Sequence, residues 1–254
     1  MKLKVGVIGC GGIATGRHIP AYINNPNTDL VAVYDSSVEK GEKIEEEYGV
    51  NAYKNLSVML MHLGLDAVSV CTPEMTHRDI VIEALKSGKH VLCEKAITVN
   101  DRQLEEIVAL AKKNNVVVQE AMTIFHMPLY KKLKEMVAAG VIGNVKMIQV
   151  NFGSCKEYDV NNRFFSKELA GGALLDIGVY ATSFARYFLS SKPNVVITTA
   201  DYFETGVDEQ SGIIMKIQDG QMVVMTIIMR SNQPKSGVIS GELGYLAINN
   251  YPRR

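Results

Sequence analysis

The segment "HVLCEKAITV", residues 90–99, sets Glu94 and Lys95 side by side where an apolar run reads as the end of a buried strand. An unpaired ion in a protein interior costs on the order of several kcal/mol. A lysine at such a strand end is therefore paired, extended to water, or set in a cleft with a task. A second chemistry-bearing pattern opens the chain, where "VGVIGCGGIATG" places Gly9, Gly11 and Ala14 as G-x-G-x-x-A directly after a first apolar strand. Gly9 permits a tight turn, Gly11 lets backbone approach a pyrophosphate, and small Ala14 lets a helix pack close to the strand. Phosphate charge then meets the N–H groups at that helix start. Gly12 and Ile13, in the same turn, join Gly9 and Gly11 as expected cofactor contacts.

Asp35 ends the second apolar run in "VAVYDSS". A carboxylate there can accept both ribose hydroxyls and repels a 2′-phosphate, so NAD is favoured over NADP, with Ser36 beside it. The alternative for Asp35 is the N-cap of the helix in "SSVEKGEKIEEEYG", a role that Ser36 or Ser37 fills equally well.

The elements that must position these residues follow an alternating grammar. Over the first 120 residues, "KVGVIG", "LVAVYD", "DAVSVCT", "HVLCEK" and "VVVQEA" are strands separated by helical patterns, which predicts a parallel sheet of βαβ units. The runs are nearly continuous in Val, Ile, Leu and Ala, as expected of strands covered on both faces. In "NDRQLEEIVALAKKNN" Asn100 and Gln103 form a capping pair ahead of Leu104, Ile107, Val108 and Leu110 at helical spacing. After about residue 121 the grammar changes. "MPLYKKLKEMVAAGVIG" reads as a helix ended by glycine, followed by the longer strands "VKMIQVNFG", "VVITTADYF", "GIIMKI" and "MVVMTIIMR". Asp219-Gly220 marks a hairpin between the last two, so a second, mostly antiparallel sheet is expected. Met215, Met222, Met225 and Met229 read as core or subunit-contact filler.

Charge and composition exclude several classes. Lys plus Arg equals Asp plus Glu at 27 each, with no basic stripe, so a nucleic-acid partner is not expected. The opening is too short and glycine-broken for a signal sequence, and no apolar run approaches a membrane span. The four cysteines have no paired spacing and the five histidines no metal-ligand spacing, which favours reduced thiols in the cytoplasm and no metal site.

Four segments together, "GVIGCGGIA", "CTPEMTH", "GKHVLCEKAITVN" and "GGALLDIGVY", resemble the Gfo/Idh/MocA oxidoreductases in the family's order, the last two most specifically and closest to its dihydrodiol and xylose dehydrogenase-like branch. The resemblance implies an α/β fold. An N-terminal Rossmann dinucleotide-binding domain over residues 1–121 precedes a C-terminal α+β domain over 122–254, with a large open, mostly antiparallel sheet for substrate and oligomerisation. Lys95 resembles the lysine of the family's E-K-P motif, beside the nicotinamide and the reacting hydroxyl, and Glu94 the neighbour that orients it. Hydride leaves a carbinol carbon only as its O–H proton departs, so a nearby cation stabilises the developing alkoxide. The chain departs from the motif at Ala96, where proline is usual and would restrict Lys95's backbone.

By the same resemblance Asp176 and Tyr180 are catalytic. Tyr180 is the proton donor or acceptor and Asp176 orients substrate or lysine, their i, i+4 spacing stacking both side chains on one helical face. The alternative is that Asp176 caps the helix and Tyr180 packs. In "CTPEMTH", Thr72 and Pro73 are expected on the cofactor loop and His77 at the start of the next helix, as a cofactor contact or as a packed or capping residue. Glu74 stands where the family often has Asn. His126 and Arg163 are candidates for substrate hydroxyls.

The resulting expectation is an NAD-dependent dehydrogenase or reductase acting on a secondary alcohol or ketone of a sugar, polyol or cyclic diol. Its rivals are a catalytically silent NAD-binding sensor, against which Lys95, Asp176 and Tyr180 argue, and an NAD-dependent glycoside hydrolase of the same family. A homodimer or higher homo-oligomer is expected through the open sheet. Relatives continue past the point where this chain stops at "GELGYLAINNYPRR", so it is expected either to be shortened or to close its sheet differently.

Overall fold

The computed structural model describes residues 1–250, and the last four residues of "GELGYLAINNYPRR" lie outside them. The chain divides into two compact units, Met1–Ala121 and Met122–Arg254.

In the first unit β1 (Leu3–Ile8), β2 (Thr28–Tyr34), β3 (Asn51–Tyr53), β4 (Ala67–Val70), β5 (His90–Cys93) and β6 (Val118–Glu120) form one sheet in the order β3-β2-β1-β4-β5-β6. Every adjacent pair is parallel. Continuous apolar runs suit such strands because each face meets helices. Consecutive residues of β1 show this, Val7 entering the core with Ile19 and Ile44, and Ile8 the core with Leu85 and Ile107. Ile19 lies on α1 (Ile19–Asn24) and Ile44 on α2 (Val38–Tyr48). The opposite face carries α3 (Leu56–Leu60), α4 (Glu74–Lys86) and α5 (Asp101–Lys113). The cap of α5 forms as its sequence predicts, since Asn100 Oδ1 accepts from the Gln103 amide at 3.0 Å. Gln103 reaches back to the Val99 amide at 3.4 Å, one residue earlier than an ideal capping box. The three-residue β3 is not foreseen, because a run that short shows no periodicity.

In the second unit α6 (Pro128–Ala138), β7 (Val145–Gly153), α7 (Val179–Phe188), β8 (Val195–Tyr202), β9 (Asp208–Lys216), β10 (Met222–Ile228), β11 (Ser236–Gly241) and β12 (Tyr245–Asn249) form a helix layer and a sheet ordered β12-β11-β7-β10-β9-β8. All neighbours are antiparallel except β7 and β10. The Asp219-Gly220 turn joins β9 to β10 with Gly220 at φ 88°. Strands β11 and β12 are additions to the sequence reading. At Gly237 the ring of Phe184 lies 2.6 Å from where a Cβ would stand, so packing demands the glycine that weakens the strand signal.

One face of this sheet packs Ile148, Val150, Val223, Met225 and Ile227 against Phe184 and Phe188 of α7. Three of the four methionines read as core or subunit-contact filler are in the core, Met225 and Met229 buried and Met215 packed partly against it, while Met222 falls on the alternate face. That face also carries polar side chains, Thr226 donating to Asn151 and Gln210 to Asp201, beside exposed Val195, Ile197 and Ile214. No helix among the described residues is long and apolar enough to cross a membrane.

Candidate active site

Sheet register brings the first group of candidate residues to one level. Ile8 pairs with Tyr34 and with Val70, and Val70 pairs with Cys93, so Gly9, Asp35, Cys71 and Glu94 leave the sheet together at its carboxyl edge. Backbone bonds continue the ladder past the strands, from Gly9 N to Tyr34 O, Cys71 N to Ile8 O and Glu94 N to Val70 O, each 2.7–2.9 Å. Strand order reverses between β1 and β4, and ligands of open α/β sheets bind at such a switch point. Gly9 adopts φ +91°, and a Cβ on it would meet the Cys71 carbonyl carbon and Thr72 Cγ2 at 2.9 Å. Gly11 and Gly12, with Ile13 following, differ: a Cβ on either glycine meets nothing within 4 Å, which leaves open space over the turn for a ligand that approaches backbone closely. The residues present therefore fit a dinucleotide.

Asp35 is partly exposed, and its two oxygens accept from the Cys10 amide at 2.7 Å and the Ser37 amide at 2.8 Å. The carboxylate thus ties the glycine turn to the entry of α2 and retains lone pairs for ribose hydroxyls. Ser37 is the N-cap residue of α2, without a side-chain cap bond, and Ser36 is exposed. Burial first, then the Asp35 carboxylate, pushes the Cys10 thiol up to about 11, and burial pushes Cys71 up to about 12, so neither is a thiolate nucleophile at neutral pH.

Glu94 answers the question raised by the adjacent charges. Its Oε1 lies 2.8 Å from His18 Nε2 and its Oε2 accepts from the Lys95 amide at 3.2 Å. His18 Nδ1 lies 2.8 Å from Ser69 Oγ, which accepts from Tyr22 Oη at 3.2 Å. A carboxylate only accepts, so His18 donates through Nε2, and one connected set of hydrogen bonds joins Tyr22, Ser69, His18 and Glu94. Burial alone raises the pKa of Glu94, but the His18 and Lys95 amide bonds and the nearby His18 and Lys95 charges outweigh it and leave the group below its ordinary value.

Thr72 and Pro73 form the loop after β4, with Pro73 the N-cap residue of α4 and Glu74 buried in its first turn. His77 is fully buried, and its ring nitrogens lie 2.8 Å from the Ala96 and Thr72 carbonyl oxygens. The expected cofactor contact through its side chain is therefore replaced by the packed alternative, because both nitrogens are taken by protein backbone.

The second unit supplies the other group. Asp176 lies in a π-helical turn, Leu174–Gly178, that runs directly into α7, where Tyr180 stands. Asp208 of β9 caps the start of this turn, its Oδ2 accepting from the Leu174 amide at 2.7 Å. Asp176 Oδ2 instead lies 3.3 Å from Lys156 Nζ, and that ammonium sits 3.5 Å from the Phe164 ring centroid. Arg163 stacks its guanidinium on the same ring at 4.3 Å. The Tyr180 ring is stacked on Phe152, centroids 5.7 Å apart and planes at 16°. His126 is exposed at the end of the short turn Thr123–Phe125. Asp208→Ala is expected to cost about 1 kcal/mol of stability through the lost cap, with Asp208→Asn costing less than half of that. Denaturant unfolding checks this, and equal losses for the two variants would contradict the capping role.

His18, Ser69, Lys156 and Asp208 are the site residues that sequence reasoning missed. Each meets its partner across at least 20 residues, and no local spacing marks it. Among the described residues no group of three or more His, Cys, Asp or Glu is placed to hold a metal ion.

Residues 3–123 match the Gfo/Idh/MocA oxidoreductase family, NAD-binding Rossmann fold, and residues 130–247 match the Gfo/Idh/MocA C-terminal domain. The chain is 31% identical over 252 residues to a trans-1,2-dihydrobenzene-1,2-diol dehydrogenase of Xenopus tropicalis, covering 98% of this chain and 76% of that protein. It is 30% identical to a scyllo-inositol 2-dehydrogenase (NADP(+)) of Bacillus subtilis, over 99% of this chain and 77% of that protein. Among solved structures it is similar to KijD10, a 3-ketoreductase from Actinomadura kijaniata in complex with NADP and TDP-benzene, with a TM-score of 0.88 and 27% identity over 98% of this chain and 77% of that one. With glycine turn, lysine-bearing strand end and second sheet all in the family's order, the chain belongs to the Gfo/Idh/MocA oxidoreductases, in the dihydrodiol dehydrogenase-like branch.

Proposed function

We propose that the protein is an NAD-dependent oxidoreductase that transfers hydride between nicotinamide and a secondary alcohol or ketone of a sugar, polyol or cyclic diol. The observation that carries this reading is the common level at which Gly9, Asp35, Thr72 and the Glu94-Lys95 pair leave the first sheet at its switch point. Names of relatives support the substrate class, since they act on a dihydrobenzene diol, an inositol and keto-sugars. The inositol dehydrogenase and KijD10 are named with NADP, whereas here Asp35 favours NAD through its carboxylate.

Bound NAD supplies the hydride acceptor. Gly9, Gly11, Gly12 and Ile13 cradle its pyrophosphate, Asp35 and Ser36 its ribose, and Thr72 and Pro73 line the loop beside it. Lys95 stabilises the alkoxide that develops as the carbinol proton leaves, and Tyr180 takes that proton or returns it in the reverse direction. Asp176, held by Lys156, orients the substrate hydroxyl, and His126 and Arg163 contact its other hydroxyls. The four free cysteines suit a reducing, cytoplasmic setting. An absorbance screen for NADH over sugars, inositols and diols, with NAD and NADP side by side, tests the reading, and absence of turnover across the panel would overturn it.

A second copy of the chain is the proposed cover for the open face of the second sheet. Val195, Ile197 and Ile214 are each more than two-fifths exposed there, and pairing about a twofold axis buries them in both copies. Light scattering at micromolar concentration is expected to give a dimer or larger assembly, and a clean monomer with no concentration dependence would contradict it.

A further inference from the structure

The turn that carries Lys95 is gripped on three sides within the first unit. Glu94 is held by His18, the Ile97 amide donates to Glu120 Oε1 at 2.9 Å, and between them the Ala96 carbonyl lies 2.8 Å from His77 Nδ1. The His77 ring is wholly buried on α4, and its other nitrogen is bonded at 2.8 Å to the carbonyl of Thr72. One imidazole thus ties the turn after β4 to the turn after β5. Carbonyl oxygens only accept, so the Ala96 bond needs a proton on Nδ1, carried by the Nδ1–H tautomer or by the doubly protonated ring that donates to both carbonyls, and its loss leaves the buried Ala96 carbonyl without its donor. Position 96 matters because alanine leaves the backbone of Lys95 free of the restriction that a proline would impose.

We propose that His77 is a positioning residue for Lys95, whose bond to the Ala96 carbonyl holds in place the backbone that a proline at position 96 would otherwise restrict. The proposal rests on the reading of Lys95 as the group that acts on substrate. Asparagine and glutamine separate the two bonds: an asparagine amide reaches the place of Nδ1 and keeps the Ala96 bond, whereas a glutamine amide reaches the place of Nε2 and keeps only the Thr72 bond.

The experiment uses the full chain and measures kcat, NAD affinity and amide hydrogen exchange at residues 95–97. His77→Gln is expected to lower kcat at least about tenfold and to speed exchange of the Lys95 and Ile97 amides by a similar factor, with NAD affinity within about threefold. His77→Asn, the conservative variant, is expected to rescue both readouts to within about threefold of the parent. Adding Ala96→Pro to His77→Gln is expected to restore most of the lost kcat, because the ring restricts the backbone that the histidine no longer holds. Equal effects of Gln and Asn, unchanged exchange at 95–97, failure of Ala96→Pro to restore kcat, or failure of both single variants to fold would each overturn the positioning role in favour of a general structural one. Should the parent protein turn over no alcohol, the dehydrogenase reading fails, while the exchange measurement still decides whether His77 holds the Lys95 turn.

Discussion

Replacing Lys95 with alanine is expected to lower kcat by at least about 10³-fold while NAD affinity stays within about threefold. The asymmetry follows from where the residue stands. It comes directly after Glu94, the first residue beyond β5, whereas the glycine turn and Asp35, proposed to hold the dinucleotide, leave β1 and β2. An ammonium that acts on the developing alkoxide contributes only in the transition state, so its loss appears in kcat and not in cofactor binding. Steady-state kinetics combined with NADH fluorescence titration separates the two, and unchanged turnover by Lys95→Ala would remove the basis of the catalytic assignment.

The double variant Asp35→Ala with Ser36→Arg is expected to raise the NADP-to-NAD preference by about 100-fold. It removes a carboxylate that repels a 2′-phosphate and supplies a guanidinium that pairs with it bidentately. The structure adds a cost that the motif alone does not show. Asp35 Oδ2 also accepts from Cys10 N in the glycine turn, so the alanine variant loses a charged acceptor there, and total kcat/KM is expected to fall with both cofactors. Ratios of kcat/KM for NAD and NADP read the switch. A parent enzyme that already uses the two equally would show the role given to Asp35 to be wrong.

Legibility in the sequence followed the range of the interactions. The parallel sheet of the first unit was readable because burial on both faces leaves continuous apolar strands, and the β9–β10 hairpin because Asp219-Gly220 marks its turn. Strand β11 was not, since Gly237 yields its side-chain space to Phe184 and so weakens the strand signal. Lys95, Asp35 and the glycine turn stand in local motifs. Longer-range support does not: His18 reaches Glu94, beside Lys95, across 76 residues, and in the second unit Asp208 reaches Leu174, at the start of the turn that carries Asp176, across 34. His77 lies inside a legible motif that left a cofactor contact and a packed residue both open, because both of its partners are backbone carbonyls whose placement exists only in the folded sheet. The Met-rich strands show the converse limit. Composition revealed the methionines, but only the register showed that Met225 points into the core and Met222 away from it.

The most direct test of hydride transfer follows a deuterium label from the carbinol carbon of whichever sugar, inositol or diol the protein turns over. Expected is one deuterium on the nicotinamide ring of released NADH for each ketone formed, lost in Lys95→Ala. Label retained in the organic product, or a broken glycosidic bond with no net NADH, would contradict a net dehydrogenase.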